Sequence, residues 1–365
     1  MSDLLESPLH SRHVALGAKF GPFGGWAMPL DYGSVVAEHK AVRDGVGVFD
    51  VSHLGTFDVS GPGTIDFLNR CVTNDLAKIA DGQAQYNLVC NEDGGVIDDI
   101  IVYRWSEDHA LVMPNAANAA TVIAALTKVA PAGITIVDQH RDIAVLAVQG
   151  TTSDEVCAAL GFPVGHDYMH FAVGDFHGTQ VIVCRTGYTG ERGYELLVPA
   201  AIAGEVWDAL MVAGEPFGIR ACGLGARDTL RTEMGYPLHG QDLAPSISAI
   251  ESGAGWAIAW DKPTFWGAEA LRAAKAAGPS RRIRGLVATG RGIPRPHMSV
   301  VGTDGEVLGE VTSGTFSPTL GKGIALALLR TGIPEGTAVA VEVRGRQEPF
   351  EVRKPPFVTP GVREG

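Results

Sequence analysis

Gly94-Gly95-Val96-Ile97-Asp98-Asp99-Ile100-Ile101-Val102-Tyr103 sets two carboxylates inside an otherwise apolar run of strand character. Upstream, Asn91-Glu92-Asp93-Gly94-Gly95 is a strong turn signal, so residues 86–90 and 96–103 are predicted to form a hairpin. Strand alternation sends Asp98 and Asp99 to opposite faces. One of them can reach solvent or a turn backbone, while the other points into whatever the opposite face borders. An ionised carboxylate in an apolar interior is costly unless it is paired, hydrogen-bonded or used. A structural acid accepting N–H bonds from a neighbouring turn and a functional acid are equally open readings here.

The segments around this hairpin follow the same style. Residues 56–60 alternate like a half-buried strand, and 64–72 read as a short amphipathic helix with Ile65, Leu68 and Val72 at helical spacing. Residues 115–129 are Ala-rich and helical, and 134–137 and 143–148 are predicted strands. Further on, 173–184 read as two strands around Phe176-His177-Gly178, and 199–213 and 226–235 as helices. The Ala/Lys-rich stretch Ala268–Ala277 is predicted helical, and Gly278-Pro279-Ser280 after it marks a boundary. Beyond Arg281 the chain is β-rich with glycine turns, which suits a small barrel or sandwich. Strands with few helices between them imply an α+β fold with antiparallel sheet.

The chain has 365 residues, enough for two or three domains. Hydrophobic residues at 45% and charged residues at 19% exclude wholesale disorder. A formal charge of −12 argues against nucleic acid as the main partner, because phosphate binding needs a concentrated basic face. The five scattered cysteines contain no C-x-x-C pair and fit reduced, buried thiols. The start, Met1-Ser-Asp-Leu-Leu-Glu6, carries acid where a targeting peptide carries base, and no run reaches membrane-spanning length. A cytoplasmic protein with no membrane partner is the expectation.

Two further segments could carry chemistry. Arg185 to Glu195 has glycines at 187, 190 and 193, which is not the dinucleotide fingerprint. Beside Tyr188, Tyr194 and Glu195, these glycines suggest a loop close to a flat ligand, with a carboxylate for paired N–H donors, or else a plain glycine-rich turn. Gly223-Leu-Gly-Ala-Arg-Asp-Thr-Leu-Arg231 places Arg227 near a helix start and Arg231 one turn later. They suit either carboxylate recognition or salt bridges to Asp228 and Glu233. The eleven histidines lack metal spacing, and G-x-S-x-G is absent, so neither a zinc site nor a serine hydrolase is supported. Trp26 with Met28, and Trp256 with Trp260, read as core packing; Arg281, Arg282, Arg284, Arg291 and Arg295 read as a solvated face suited to an acidic partner.

Taken jointly, the segments resemble the aminomethyltransferase, or T-protein, family of the glycine cleavage system. The likeness rests on Gly25-Trp26-x-Met28-Pro29-Leu30, Gly47-Val-Phe-Asp-Val-Ser-His53, Thr73-Asn74-Asp75, the 94–103 run, Asn115-Ala-Ala-Asn118, Arg185-Thr-Gly-Tyr-Thr-Gly-Glu191, Gly223-Leu-Gly-Ala-Arg-Asp228, Tyr236-x-Leu238-x-Gly240-Gln241-Asp242 and Thr312-Ser-Gly-x-Phe-Ser-Pro-Thr-Leu320. Their fixed order over most of the chain makes it specific. The resemblance implies a three-domain clover-leaf around a central folate cavity with a C-terminal β-barrel. It assigns 1–50 and 140–275 to a discontinuous folate-binding domain, 51–139 to an α+β subdomain bearing the acidic strand, and 276–365 to the barrel. It implies transfer of a one-carbon unit from the aminomethyl-lipoyl arm of an H-protein to tetrahydrofolate, a co-substrate, with release of ammonia and no metal. Asp99 is then the expected catalytic carboxylate, and Tyr86, Tyr103, Asn115, Tyr188, Glu195, Arg227 and Arg363 the expected folate contacts. Alternatives within the likeness are a folate-dependent demethylase and a non-catalytic folate-binding protein assisting iron–sulfur assembly. Flavin-domain sequence and a K-G-C-Y-x-G-Q-E motif, which would favour these, are missing.

Overall fold

A computed structural model describes residues 4–362. The acidic hairpin forms as the sequence indicates, with strands Gln83–Cys90 and Val96–Ser106 pairing Leu88 with Asp99 and Val89 with Asp98. Three more strands extend it through His109–Met113, Phe57–Ser60 and Thr135–Asp138, in that order, into a five-stranded antiparallel sheet. One face is sealed by helices Thr64–Cys71 and Ala119–Val129, which bury Ile100 and Val102 with Phe57, Ile65, Leu68, Val122 and Leu126. Period-two geometry therefore turns Asp98 to the helix side and Asp99, Ile101 and Tyr103 to the other.

A second sheet has six strands in the order Phe171–Phe176, Thr179–Cys184, Gly193–Pro199, Ile143–Gln149, Gly47–Asp50, Arg220–Cys222. All neighbours are antiparallel except the last pair. Tyr194, Leu196 and Val198 pack beneath helices Ser153–Ala159 and Ala203–Gly214. The opposite face carries Val145, Ala147 and Leu197 into a core shared with Tyr103, Leu111 and Met113 of the first sheet. Glu195, alternating with Tyr194 and Leu196, is on this inner side. The two sheets thus face each other, and the apolar contact between them stops where the acids begin.

Strands Leu5–Glu6, Trp26–Asp31 and Lys19–Phe23 form a small third sheet. Six strands from Arg281–Ala288 to Arg346–Arg353 close into a barrel, the first pairing with the last. Helix Leu224–Met234 lies between barrel and sheets. Its start at Gly223 is forced by packing, since a Cβ there would sit 2.4 Å from the Leu30 carbonyl. All five cysteines are free and buried. Among the described residues no helix is long and apolar enough to cross a membrane.

The helix expected over 115–129 begins later. Asn115 is extended, Ala116–Asn118 is a 3-10 turn, and the α-helix runs Ala119–Val129. Asp98 is the physical reason, because it captures both the backbone and side chain of Asn115.

Candidate active site

A cavity of about 1140 Å³ opens where the two sheets, helix Leu224–Met234 and the barrel meet. Single-ligand sites span roughly 300–1,000 Å³, so this space exceeds the needs of one small molecule. Asp99 lines it, and both of its oxygens are held: Tyr86 Oη donates to Oδ2 at 3.0 Å and Asn115 Nδ2 to Oδ1 at 2.7 Å. Burial raises the Asp99 carboxyl above the usual range, while Tyr86, His239 and Asn115 pull the other way. Asp98 takes the structural role left open above. Its Oδ2 accepts the Asn115 backbone N–H at 3.0 Å, and its Oδ1 accepts Asn115 Nδ2 at 2.9 Å and Asn118 Nδ2 at 2.8 Å. Burial first, then the Asp99 charge, push it up to about 8.

Glu195 lines the same cavity from the six-stranded sheet, with Thr186 Oγ1 donating to its Oε2 at 2.6 Å. Tyr103 Oη lies 3.2 Å from Thr186 Oγ1, so tyrosine, threonine and glutamate form one chain across the two sheets. Arg227 stands near a helix N-terminus, where the helix dipole disfavours a cation. Its guanidinium lies 4.6 Å over the Tyr188 ring, its Nη1 is buried without a hydrogen-bond partner, and Glu195 is its principal opposite charge. Burial lowers its pKa. Tyr188 donates its hydroxyl to the Pro237 carbonyl.

Tyr86, Asp99, Tyr103, Asn115, Tyr188, Glu195 and Arg227 therefore border one cavity. Arg363 lies outside the described residues. Arg231, one turn beyond Arg227, does something different. It is buried, bonded to Asp228, Asp242 and Ser313, and ties the helix to the barrel. The glycines of the 187–193 segment are also accounted for within the protein. A Cβ at Gly187 would strike Gln149 at 2.1 Å, and one at Gly190, which has φ +81°, would strike Met234 at 2.1 Å. Close chain packing requires glycine at both positions, and Gly187 and Tyr188 also line the cavity.

Some wall residues escaped sequence reasoning. Trp256, expected in the core, is 69% exposed, stacks on Tyr86 at 5.2 Å and borders the cavity. Its spacing from Trp260 looks helical, but the segment is a 3-10 turn, Gly255–Ala257. His53 is buried on the cavity wall, edge-on to Phe23, and burial, Arg227 and His140 push it down to about 3, so the imidazole is neutral. His239 also borders the cavity, with Nδ1 3.0 Å from Asn118 Nδ2. Neither histidine has a spacing that would have marked it. Of the arginines read as a solvated face, Arg284 turns to the cavity and Arg281 pairs with Glu251 at 3.0 Å. Among the described residues no group of His, Cys, Asp and Glu is placed to hold a metal ion.

Comparison with known proteins bears on the family and the fold. Residues 9–262 match the GCVT N-terminal domain, and 281–359 match the glycine cleavage T-protein C-terminal barrel domain. A Frankia alni protein named aminomethyltransferase is 57% identical over 360 residues, covering 98% of this chain and 99% of the relative. A Mycobacterium tuberculosis aminomethyltransferase is 53% identical over 363 residues, covering 99% of each. The crystal structure of the glycine cleavage system aminomethyltransferase T from Bartonella henselae superimposes with a TM-score of 0.92 at 34% identity, covering 98% of this chain and 99% of that one.

Proposed function

The chain belongs to the glycine cleavage T-protein family and is an aminomethyltransferase of the glycine cleavage system, and from that premise we propose how its cavity works. The substrates are the aminomethyl-lipoyl arm of a lipoylated H-protein and tetrahydrofolate. The products are 5,10-methylenetetrahydrofolate, ammonia and the dihydrolipoyl arm. The observation that carries the reading is one acid on one wall, Asp99, facing a second acid and a cation, Glu195 and Arg227, across a space large enough for two reactants.

In this reading Glu195 accepts the amino and ring N–H donors of the pterin, a pairing for which a carboxylate has the right edge. Thr186 fixes the plane of that carboxylate. Arg227, with a buried nitrogen lacking a partner, supplies the cationic contact. Tyr86, Tyr103, Asn115 and Tyr188 shape the wall. The folate part comprises residues 1–50 and 140–275, the acidic subdomain 51–139 and the barrel 276–365.

Two C–N bonds form to the same carbon, from N5 and N10 of the folate, while its bonds to sulfur and to the amine break. The two folate N–H protons leave with the thiol and the ammonia, so atoms balance. Positive charge develops on nitrogen during these displacements. Asp99, held at both oxygens by Tyr86 and Asn115, is set to stabilise that charge without reorganising. The clamp on the folate supplies orientation. The same reading sets the reaction in the cytoplasm.

An assay with aminomethylated H-protein and tetrahydrofolate, following ammonia, tests the proposal. Folate-dependent ammonia release supports it. Folate binding without release would favour a non-catalytic folate protein instead.

A further inference from the structure

We propose that Asp98 is a positioning residue for this site: by gripping Asn115 at backbone and side chain, it decides which end of the Asn115 amide meets Asp99. The inference rests on Asp99 being the acting carboxylate. Asp98 itself is fully buried on the helix side of its sheet and does not border the cavity, so it meets no substrate.

The geometry leaves Asn115 little choice. Asp98 Oδ2 takes its backbone N–H at 3.0 Å and Oδ1 takes its Nδ2 at 2.9 Å. Nδ2 also lies 2.7 Å from Asp99 Oδ1 and 3.1 Å from the Asp99 carbonyl. An amide turned end for end would set its oxygen against Asp98 Oδ1, Asp99 Oδ1 and the Asp99 carbonyl, where at most a carboxyl proton can donate, and would take the NH2 group away from all three acceptors. With the nitrogen inward, one amide hydrogen goes to Asp98 and the other to Asp99. Tyr86 holds the second Asp99 oxygen, so Asp98 sets one of the two donors that aim the acting carboxylate.

Asp98 also reaches the far side of the cavity. Asn118 Nδ2 donates to Asp98 Oδ1 at 2.8 Å and lies 3.0 Å from His239 Nδ1, which ties down a loop whose residues Tyr236, Pro237, Leu238 and His239 all line the cavity. Packing does not ask for an acid at this position. Ile100 and Val102 continue the same face as buried apolar side chains, and an apolar residue at 98 would extend that core. A buried acid next to a second acid is a local conflict of the kind folds retain where function needs it.

The test compares Asp98→Asn, Asn115→Ala and the double variant in the full chain, measuring kcat and the KM for tetrahydrofolate with aminomethylated H-protein. Asp98→Asn places an N–H against donors it formerly accepted. Each single change is expected to lower kcat roughly 10–100-fold, the scale of a misplaced reacting group, and for Asp98→Asn, which does not border the cavity, KM is expected to change less than about twofold. In the Asn115→Ala background, Asp98→Asn is then expected to lower kcat at most about threefold, the part it exerts through Asn118. Losses that multiply, an unchanged kcat, or a KM effect alone would overturn the proposal. Should Asp98→Asn not fold, Asp98→Glu carries the same two-background comparison. Asp99→Asn separates the two levels: if it stays active, the reading of Asp99 fails; if it is inactive while the Asp98 and Asn115 losses multiply, only the positioning role fails.

Discussion

Replacing Glu195 by Gln removes a charge with almost no change of shape, and its cost can be worked from the contacts. One oxygen already serves Thr186 at 2.6 Å, so the rest of the carboxylate is what remains for a ligand. The amide keeps one acceptor and turns an NH2 group toward the ligand's own N–H donors. A lost charge-assisted hydrogen bond is worth roughly 1.5–3 kcal/mol, and an unsatisfied donor facing it about 1–3 kcal/mol more. Allowing for partial relaxation, about 3–4 kcal/mol is expected, or two to three decades in Kd at about 1.4 kcal/mol per decade. Arg227 simultaneously loses its principal opposite charge. Calorimetric titration of tetrahydrofolate into Glu195→Gln is the assay, with the melting temperature as a check on folding. A folded variant that binds within about threefold of the parent would refute the assignment of Glu195.

Other expectations concern the framework. Arg231→Met leaves buried Asp242 without its guanidinium partner and should lower unfolding free energy by about 3–5 kcal/mol. A urea midpoint giving less than about 1 kcal/mol would speak against a buried ion-pair tie. Glu233 is held down to about 2 by His39, Ser317 and Arg43 acting against its burial. Its folded pKa is below the unfolded value near 4.5, so its contribution is full above that pH and disappears as pH falls toward 2. At about 1.4 kcal/mol per unit this is about 3 kcal/mol. Glu233→Gln should therefore flatten the acid limb of stability between pH 5 and pH 2, which thermal melts across that range would check.

The acidic hairpin was readable because period two and a five-residue turn are local signals, and alternation correctly separated Asp98 from Asp99. Their different fates were not readable, since Asp98 is defined by Asn115 and Asn118, which the fold brings to it from beyond the next strand. Arg227 and Arg231 posed the same difficulty. One turn apart on one helix, they compete on paper for Asp228 and Glu233; Asp228 does pair with Arg231, but only tertiary placement adds Asp242 to it while Arg227 faces the cavity. Glu233 instead serves Arg43 and His39 from another helix. The barrel was visible as glycine-punctuated β-sequence, whereas the parallel pairing of Arg220–Cys222 with Gly47–Asp50 joins segments too distant for any local pattern. His53, His239 and Trp256 reach the wall from loops and short turns, where side-chain direction has no period to betray it.

Asp99→Asn is the sharpest probe of whether this carboxylate is the acting acid. The amide preserves size but cannot stabilise charge developing on nitrogen, so turnover with aminomethylated H-protein and tetrahydrofolate should fall roughly 10²–10³-fold, the usual scale for a preorganised electrostatic group. Tetrahydrofolate affinity, assigned by proposal to Glu195 and Arg227, should stay within about threefold. Turnover equal to the parent enzyme, in a variant that folds and binds folate normally, would contradict the assignment of Asp99 as the acting acid.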